Sequence, residues 1–175
     1  MLKLVKPNKK YYKQYKEMMD EWIMEGSRIT PWPLHLKYHT KEKFNEMINR
    51  VEEVERGENL GEYDSSTTYW LYDEDANKII GASNLRHYLT EEGLKTWGHI
   101  GYGIRPSERN KGYATKLLQL TLIEAKKRNI DKVLLGAYVG NIPSWKVMEK
   151  CNGIYEKTEI EEETGLPIKK YWIKT

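Results

Sequence analysis

A short basic loop that contains a glycine has the chemistry to bind phosphate groups. The loop follows Arg105, at the end of a predicted strand, and leads into a long amphipathic helix. The first N–H groups of a helix have no partner within it, and the helix dipole adds partial positive charge at that end. Arg109 and Lys111 add full charges, and Gly112 lets an anion approach the backbone without an intervening side chain. The loop therefore predicts a diphosphate site, the alternative being that Arg109 and Lys111 form an ordinary solvated pair.

Two common phosphate-binding motifs do not fit this loop. The sequence has no Gly-x4-Gly-Lys-Ser/Thr segment, which a P-loop requires. Gly101 and Gly103 precede the loop and lie inside the predicted strand, so they do not form a dinucleotide fingerprint. The pattern Arg109-x-x-Gly112-x-Ala114 instead resembles the acyl-CoA pyrophosphate loop of the GNAT superfamily of N-acetyltransferases, Gln/Arg-x-x-Gly-x-Gly/Ala. The strand ending in Ile-x-Pro before it and the amphipathic helix after it agree with that family.

A second segment supports the same resemblance. Asn141, Ser144 and a Glu-Lys pair ending at Lys150 follow a buried strand, as in GNAT proteins. The resemblance is specific over Thr96–Ile154, and elsewhere only the order of elements matches. The run Gly98–Arg109 is similar to a bacterial subgroup of predicted acetyltransferases, which leaves the acceptor amine open.

The resemblance implies that acetyl-CoA is the co-substrate and that no metal takes part. Pantetheine is expected between the strands that end at Arg105 and Val139, which should splay apart. The diphosphate is expected at the backbone N–H groups of the loop. The implied cofactor-binding residues are Ile104, Arg105, Arg109, Asn110, Lys111, Gly112, Tyr113, Ala114, Thr115, Asn141, Ser144 and Lys150.

Acetyl transfer to an amine requires a base for the amine proton and an acid for the leaving thiolate. Many GNAT proteins use as the acid a Tyr seven residues after the Asn, and here that position is Met148, which has no proton to donate. Water or Tyr138 is then the expected acid, unless Tyr138 is a tyrosine of the core. His99 is the candidate base because a histidine pKa near 6.5 suits this step. Strand alternation can also point His99 away from the cleft, and His87 and Tyr88 are alternative wall residues.

Three further reactive side chains are interpreted as structural. His35 and His39 have helical metal-ligand spacing, but Pro33 lies close and no carboxylate or Cys completes a ligand set. Cys151 is interpreted as a buried thiol, because the family transfers acetyl directly to the amine without an acyl-enzyme. We therefore predict neither a metal site nor a covalent intermediate.

Acceptor specificity is expected from the loops that border the cleft. Trp32 and the acidic residues Glu58, Glu62 and Asp64 would attract a cationic amine if they face the cleft, whereas charged loops are usually just solvated. The sequence does not decide between these readings. The bordering segments are Gly26–His39, Gly57–Ser66 and Tyr88–Lys95.

The elements that must position these residues follow the order β-α-α-β-β-β-α-β-α-β-β. Strands are predicted at Leu2–Lys6, Thr67–Asp73, Lys78–Arg86, Thr96–Arg105, Lys132–Val139, Gly153–Ile160 and Ile168–Lys174. Helices are predicted at Asn8–Gly26, Thr40–Arg56, Asn110–Asn129 and Pro143–Lys150. The order predicts an α+β (mixed α/β) fold of the GNAT type: a mostly antiparallel sheet of about six or seven strands, a splayed parallel pair and about four helices.

Composition limits the class of protein. The 175 residues carry a net charge of +3, which is too weak to indicate nucleic-acid binding, and one cysteine, which allows no internal disulfide. No export signal or membrane span is apparent, so one cytoplasmic domain, 1–175, is expected. The predicted activity is transfer of an acetyl group to a primary amine of a small molecule or a peptide, in a ternary complex. The alternative is a non-catalytic acyl-CoA sensor, and a homodimer through the C-terminal hairpin at Tyr171 and Trp172 is possible.

Overall fold

The computed structural model describes residues 1–36, 38–61 and 64–175. The strands are β1 Leu2–Val5, β2 Ser66–Asp73, β3 Lys78–Arg86, β4 Ile100–Ile104, β5 Lys132–Tyr138, β6 Ile154–Ile160 and β7 Pro167–Lys174. The α-helices are α1 Tyr12–Glu25, α2 Lys41–Arg56, α3 Glu91–Lys95, α4 Tyr113–Lys127 and α5 Ile142–Lys150. Short 3-10 helices lie at Lys9–Tyr11, Trp32–His35 and Pro106–Glu108. None of the described helices is long and apolar enough to cross a membrane.

Two antiparallel sheets form the centre of the molecule. The first has the order β1-β2-β3-β4, and the second has the order β5-β7-β6. In the first sheet, β3 and β4 are in register with Gly81 opposite Ile104 and Leu85 opposite Ile100. These strands and helices confirm the expected α+β fold. The described residues form seven strands, within the expected six or seven, and five α-helices where about four were expected.

The two sheets meet at a seam between β4 and β5. The described residues make one isolated antiparallel bridge there, Gly98 to Leu135. The His99 N–H donates to Leu134 O at 2.7 Å, and the Gly136 N–H donates to Trp97 O at 3.2 Å. A Cβ at Gly98 would lie 2.2 Å from Leu134 O, so only glycine allows this approach, and its φ is +72°. The strands therefore splay as expected, but the chain turns at Gly98 before β4 begins, and the bridge is antiparallel.

Opposite faces of the first sheet carry different helices. The α1–α2 face has an aromatic core in which Tyr15, Trp22 and Trp70 are buried. On the other face, α4 buries Leu117, Leu118 and Leu122 against strands of both sheets. Each fully buried side chain of this size contributes roughly 1.5–3 kcal/mol. The α4 core contains residues of both sheets and therefore holds the seam together, whereas the aromatic core packs α1 and α2 on the first sheet alone.

Glycines on β4 let the α1–α2 connection pack directly against the strand. A Cβ at Gly103 would lie 2.4 Å from Thr30 O, and one at Gly101 would lie 3.3 Å from Pro31 Cβ. Successive side chains of a strand point to opposite faces, so Tyr102, between them, faces the α4–α5 side. The spacing Gly101-x-Gly103 thus allows the α1–α2 connection to lie against the backbone of β4.

Two local predictions need correction. The predicted strand Thr96–Arg105 is shorter, because Thr90 caps the short helix α3 and the seam turn precedes Ile100. The expected exposed edge of the C-terminal hairpin is not at Tyr171, because β7 is the middle strand of its sheet and Tyr171 is buried. The outer strand is β6.

Candidate active site

A cavity of about 290 Å³ lies at the seam where the two sheets separate. One wall comes from the α1–α2 connection, a second from the ends of β3 and β4, and a third from β5 and α5. The described lining residues are Arg28, Ile29, Thr30, Pro31, Trp32, His35, Asn84, Arg86, Trp97, Ile100, Gly101, Tyr102, Gly136, Ala137, Tyr138, Asn141, Ser144 and Met148. The cavity thus joins the predicted acceptor side of the molecule to the α4–α5 side.

The N-terminus of α4 follows β4 after the basic loop. Gly112 is its N-cap with φ +83°, and no side chain caps the helix. A Cβ at Gly112 would meet no atom within 4 Å, so the space in front of the first N–H groups is open. Uncapped N–H groups and the helix dipole fit a diphosphate, as the sequence predicts for Tyr113, Ala114 and Thr115. Asn110, also in the loop, has a positive φ of 62°.

The Arg109 side chain ties the loop to the end of α1. Its guanidinium donates to Glu25 Oε2 at 2.6 Å, to Ser27 Oγ at 3.1 Å and to Ile104 O at 3.1 Å. Hydrogen bonds from Ser27 and Arg109 lower the pKa of Glu25. To bind a phosphate group, Arg109 must therefore either break its ion pair with Glu25 or contact the phosphate and Glu25 at the same time. Lys111 is more exposed and contacts Glu108 at 2.9 Å.

The Arg105 side chain points away from the cavity. It is 3% exposed and forms two hydrogen bonds with the Glu21 carboxylate, while its Nη1 donates to Ile79 O at 3.0 Å. Burial acts to raise the pKa of Glu21, but hydrogen bonds from Arg105 and Ser107 outweigh it and lower the pKa to about 2. Arg105 therefore anchors α1 under the loop. Its backbone is also engaged, since its N–H donates to Ile80 O at 2.9 Å and its C=O accepts from the Glu108 N–H at 3.0 Å.

Asn141 and Ser144 both line the cavity, and Ser144 contacts β4 across the seam. Asn141 caps α5 by accepting from the Ser144 N–H at 3.3 Å. The Tyr102 hydroxyl donates to Ser144 O at 2.9 Å and lies 3.1 Å from Ser144 Oγ. Burial raises the pKa of Tyr102, so its phenol stays protonated. Lys150, at the last turn of α5, is exposed.

Of the two predicted catalytic residues, Tyr138 lines the cavity. Its hydroxyl donates to Glu161 Oε2 at 2.6 Å, and its ring stands edge-on to Trp97 at 4.8 Å between centroids. Met148, at the position of the usual acid, is 1% exposed and also lines the cavity. The thioether of Met148 has no proton to donate, so this position cannot supply the acid.

His99 lies in the seam and is not among the described lining residues. It is 8% exposed, and its Nδ1 accepts the Leu134 N–H at 2.9 Å. Burial, together with the charge of Arg86, lowers the pKa of His99 to about 4. A histidine of this pKa is neutral at pH 7 but a weak base, so the geometry favours a role in joining the sheets.

The remaining reactive side chains have local partners. His87 lies 2.8 Å from both Ser65 Oγ and Thr67 Oγ1, and Tyr88 is exposed. His35 Nε2 lies 2.6 Å from Ile29 O, and the described residues contain no cluster able to hold a metal. Cys151 is buried as expected, and burial raises the pKa of its thiol.

The acidic loop beside the cavity is largely neutralised by arginines. Glu58 forms two hydrogen bonds with Arg56, and Asp64 lies 3.6 Å from Arg86 Nε. Glu62 lies outside the described residues. Sequence reasoning missed Arg28 and Arg86 as lining residues, because isolated arginines on separate segments form no motif.

The loop after β4 leads to an uncapped helix beside two sheets that separate, which is the arrangement that the resemblance to the GNAT superfamily implies. A family model for the GNAT acetyltransferase domain matches residues 2–153, so this chain belongs to the GNAT acetyltransferase family. This confirms the family that the loop and the α5 segment resemble. A search of curated proteins found no match.

Solved structures show the same fold at low sequence identity. RimL, a ribosomal L7/L12 alpha-N-protein acetyltransferase in complex with coenzyme A, aligns with TM-score 0.72 and 15% identity over 99% of this chain and 93% of its own. Dodecameric spermidine N-acetyltransferase from Vibrio cholerae aligns with TM-score 0.67 and 17% identity over 99% and 93%. The microcin C7 self-immunity acetyltransferase MccE, in complex with acetyl-CoA and AMP, aligns with TM-score 0.72 and 14% identity over 99% and 92%.

Proposed function

We propose that this protein transfers the acetyl group of acetyl-CoA to a primary amine in a ternary complex. One observation carries the proposal: the uncapped N-terminus of α4 opens beside the seam in a chain of the GNAT family. The seam cavity runs from this side of the sheets to the α1–α2 side, so a thioester and an amine can approach from opposite faces. Structures of the same fold that contain coenzyme A or acetyl-CoA support the choice of co-substrate.

The proposed cofactor site has two parts. The diphosphate binds the backbone N–H groups from Asn110 to Thr115, where each charge at a helix end contributes about 0.3–1 kcal/mol. Arg109, Lys111 and Lys150 supply further positive charge. Pantetheine lies along the backbone of β4 at Ile104 and Arg105 and contacts Asn141 and Ser144 across the seam.

The reaction forms one bond and breaks one. The amine nitrogen attacks the thioester carbon, the N–C bond forms and the C–S bond breaks, while the amine loses a proton and the thiolate gains one. Tyr138 is the proposed proton donor, because its ring lines the cavity. Its hydroxyl donates to Glu161 Oε2 at 2.6 Å, so it must give up that hydrogen bond to protonate the thiolate. His99 is the candidate base that the sequence predicts. Its buried ring in the seam, outside the described cavity lining, argues against that role.

Calorimetric titration of acetyl-CoA tests the cofactor site first. Wild type should bind, and Gly112→Glu should bind at least tenfold more weakly, about 1.4 kcal/mol, because it places bulk and negative charge at the diphosphate site. Gly57→Glu is the matched control, since Gly57 also has a positive φ of 77° and its nearest contact is 4.0 Å away. Absence of binding to wild type, or equal binding to Gly112→Glu, would contradict the proposal.

A non-catalytic acyl-CoA sensor remains the second candidate, and Met148 at the position of the usual acid is the observation that favours it. The two functions differ in turnover. An enzyme releases coenzyme A thiol when a suitable amine is added to acetyl-CoA, whereas a sensor binds acetyl-CoA and releases none. A thiol assay over a panel of amines separates the two.

Two further observations bear on the compartment and the oligomeric state of the proposed enzyme. The lone Cys151 suits a reducing compartment, which supports a cytoplasmic location.

The outer strand β6, with its exposed Ile154 and Ile160, is the edge at which a homodimer would extend the second sheet. Light scattering at working concentration tests the homodimer, and a monomer mass would rule it out.

A further inference from the structure

We propose that the acceptor amine also carries an anionic group, a carboxylate or a phosphate, and that Arg28 and Arg86 bind this group. The inference rests on the proposed acetyl transfer and specifies its acceptor. It starts from the charges around the seam cavity. Among the described lining residues two are arginines and none is Asp or Glu.

Arg28 presents a guanidinium at the side of the cavity formed by the α1–α2 connection. The group lies 5.1 Å from the ring centroid of Trp97 and 5.5 Å from that of Tyr138. None of the described carboxylates forms an ion pair with it. A guanidinium held against aromatic rings is pre-organised, and its N–H groups match both oxygens of a carboxylate or phosphate. Arg28 is therefore positioned to bind an oxyanion.

Arg86 contributes a second guanidinium from the end of β3. Its Nη1 donates to Gly98 O at 2.8 Å, and its Nε lies 3.6 Å from Asp64 Oδ2. In the described part of the chain no hydrogen bond or ion pair uses Nη2. Burial removes water from the guanidinium and lowers the pKa of Arg86, and the charge of Asp64 opposes that shift in part. An anion in the cavity would offset that cost.

The acidic groups near the cavity already have hydrogen-bond or ion-pair partners. Glu161 accepts hydrogen bonds from the hydroxyls of Tyr138 at 2.6 Å and Thr164 at 2.5 Å, and it is not among the described lining residues. Asp64 faces Arg86. A polycationic acceptor would therefore meet two guanidiniums without a free carboxylate among the described lining residues. This distinguishes the cavity from one that selects a polyamine.

The size of the cavity also limits the acceptor. A volume of about 290 Å³ is at the lower end of the range for small-molecule pockets, and the acceptor shares it with the pantetheine arm proposed at Asn141 and Ser144. Trp32, Trp97 and Tyr138 supply apolar walls between the two arginines and the seam. The acceptor is thus a small amine, or the end of a flexible chain, with an oxyanion near the amine.

Matched pairs of amines test the inference through kcat/KM. The pairs are O-phosphoethanolamine with ethanolamine and 4-aminobutyrate with 4-aminobutyramide, and spermidine is the cationic reference. Wild type should favour the anionic member of at least one pair by tenfold or more, and the pair that responds distinguishes phosphate from carboxylate. Arg28→Gln should lower that ratio at least tenfold, and Arg28→Lys should lower it less. Arg56→Gln, an exposed arginine paired with Glu58, should leave the ratio unchanged.

Titration of the same probes into the coenzyme A-saturated protein gives a second readout that does not need turnover. The anionic members should bind more tightly than their neutral partners, and Arg28→Gln should remove the difference. The inference is overturned if both members of each pair have equal kcat/KM values and equal affinities, or if spermidine is the preferred acceptor. Failure of acetyl-CoA to bind contradicts the proposed function as well, whereas intact acetyl-CoA binding without anion preference overturns the acceptor class alone.

Discussion

The two sides of the seam cavity are built in different ways. The α4–α5 side comes from one continuous segment, β4–α4–β5–α5, and the binding groups that we propose there are mostly backbone N–H donors at the start of α4. The α1–α2 side is assembled from side chains on four separate segments that carry Arg28, Asn84, Trp97 and Tyr138. A backbone site depends on glycine and helix boundaries, which have a sequence pattern. A side-chain site depends on packing between distant segments, and such packing leaves no pattern in the sequence.

The largest expected effect separates the glycine that packs against the α1–α2 connection from the glycine at the start of α4. Gly103→Ala should destabilise the protein by about 2–4 kcal/mol, because a Cβ would lie 2.4 Å from Thr30 O and push the α1–α2 connection off β4. Gly112→Ala has open space and should cost only the left-handed backbone penalty of about 1 kcal/mol. Chemical denaturation with circular dichroism measures both. Equal losses would mean that the connection does not depend on close approach to β4.

A smaller effect tests the anchor between α1 and the loop. Glu21 has its folded pKa lowered to about 2 from 4.5, so its ion pair stabilises the protein above pH 4.5, and this stabilisation is lost as the pH falls toward 2. Because the carboxylate is partly solvated, the contribution is about 1–3 kcal/mol. The free energy of unfolding of wild type should therefore fall more between pH 6 and pH 3 than that of Glu21→Gln.

The matched control for this anchor is Glu162→Gln, on the exposed turn between β6 and β7. It should follow the wild-type pH dependence. If Glu21→Gln also followed wild type, the ion pair with Arg105 would contribute nothing measurable, and the loop would be held by Arg109 alone.

The smallest expected effect concerns His99. With its folded pKa lowered to about 4 from 6.5, it stabilises the protein fully above pH 6.5, and this stabilisation is lost as the pH falls toward 4. If His99 joins the sheets without acting as base, His99→Gln should leave the shape of the kcat/KM profile between pH 6 and pH 8 unchanged. Loss of an ionisation in that range would restore His99 as the base.

Much of this arrangement was predictable, and the failures have definite causes. Regular periodicity and caps placed α2 to within a residue, since Thr40 caps its start and Gly57 ends it. The short helix α3 was not predicted, because five residues contain too little periodicity to distinguish a helix from a loop. The partners of Arg105 and Arg109 were hidden because Glu21 and Glu25 lie more than 80 residues away in sequence.

The sequence by itself determined the order of the elements, the glycine-containing loop before α4 and the GNAT family. These depend on local preferences: hydrophobic spacing, helix caps and the backbone freedom of glycine. Only the tertiary structure decided which arginines face the cavity, that Arg105 turns toward Glu21 and that His99 lies in the seam. Each of these outcomes is set by contacts between segments far apart in the chain, where burial and charge pairing decide the direction of a side chain.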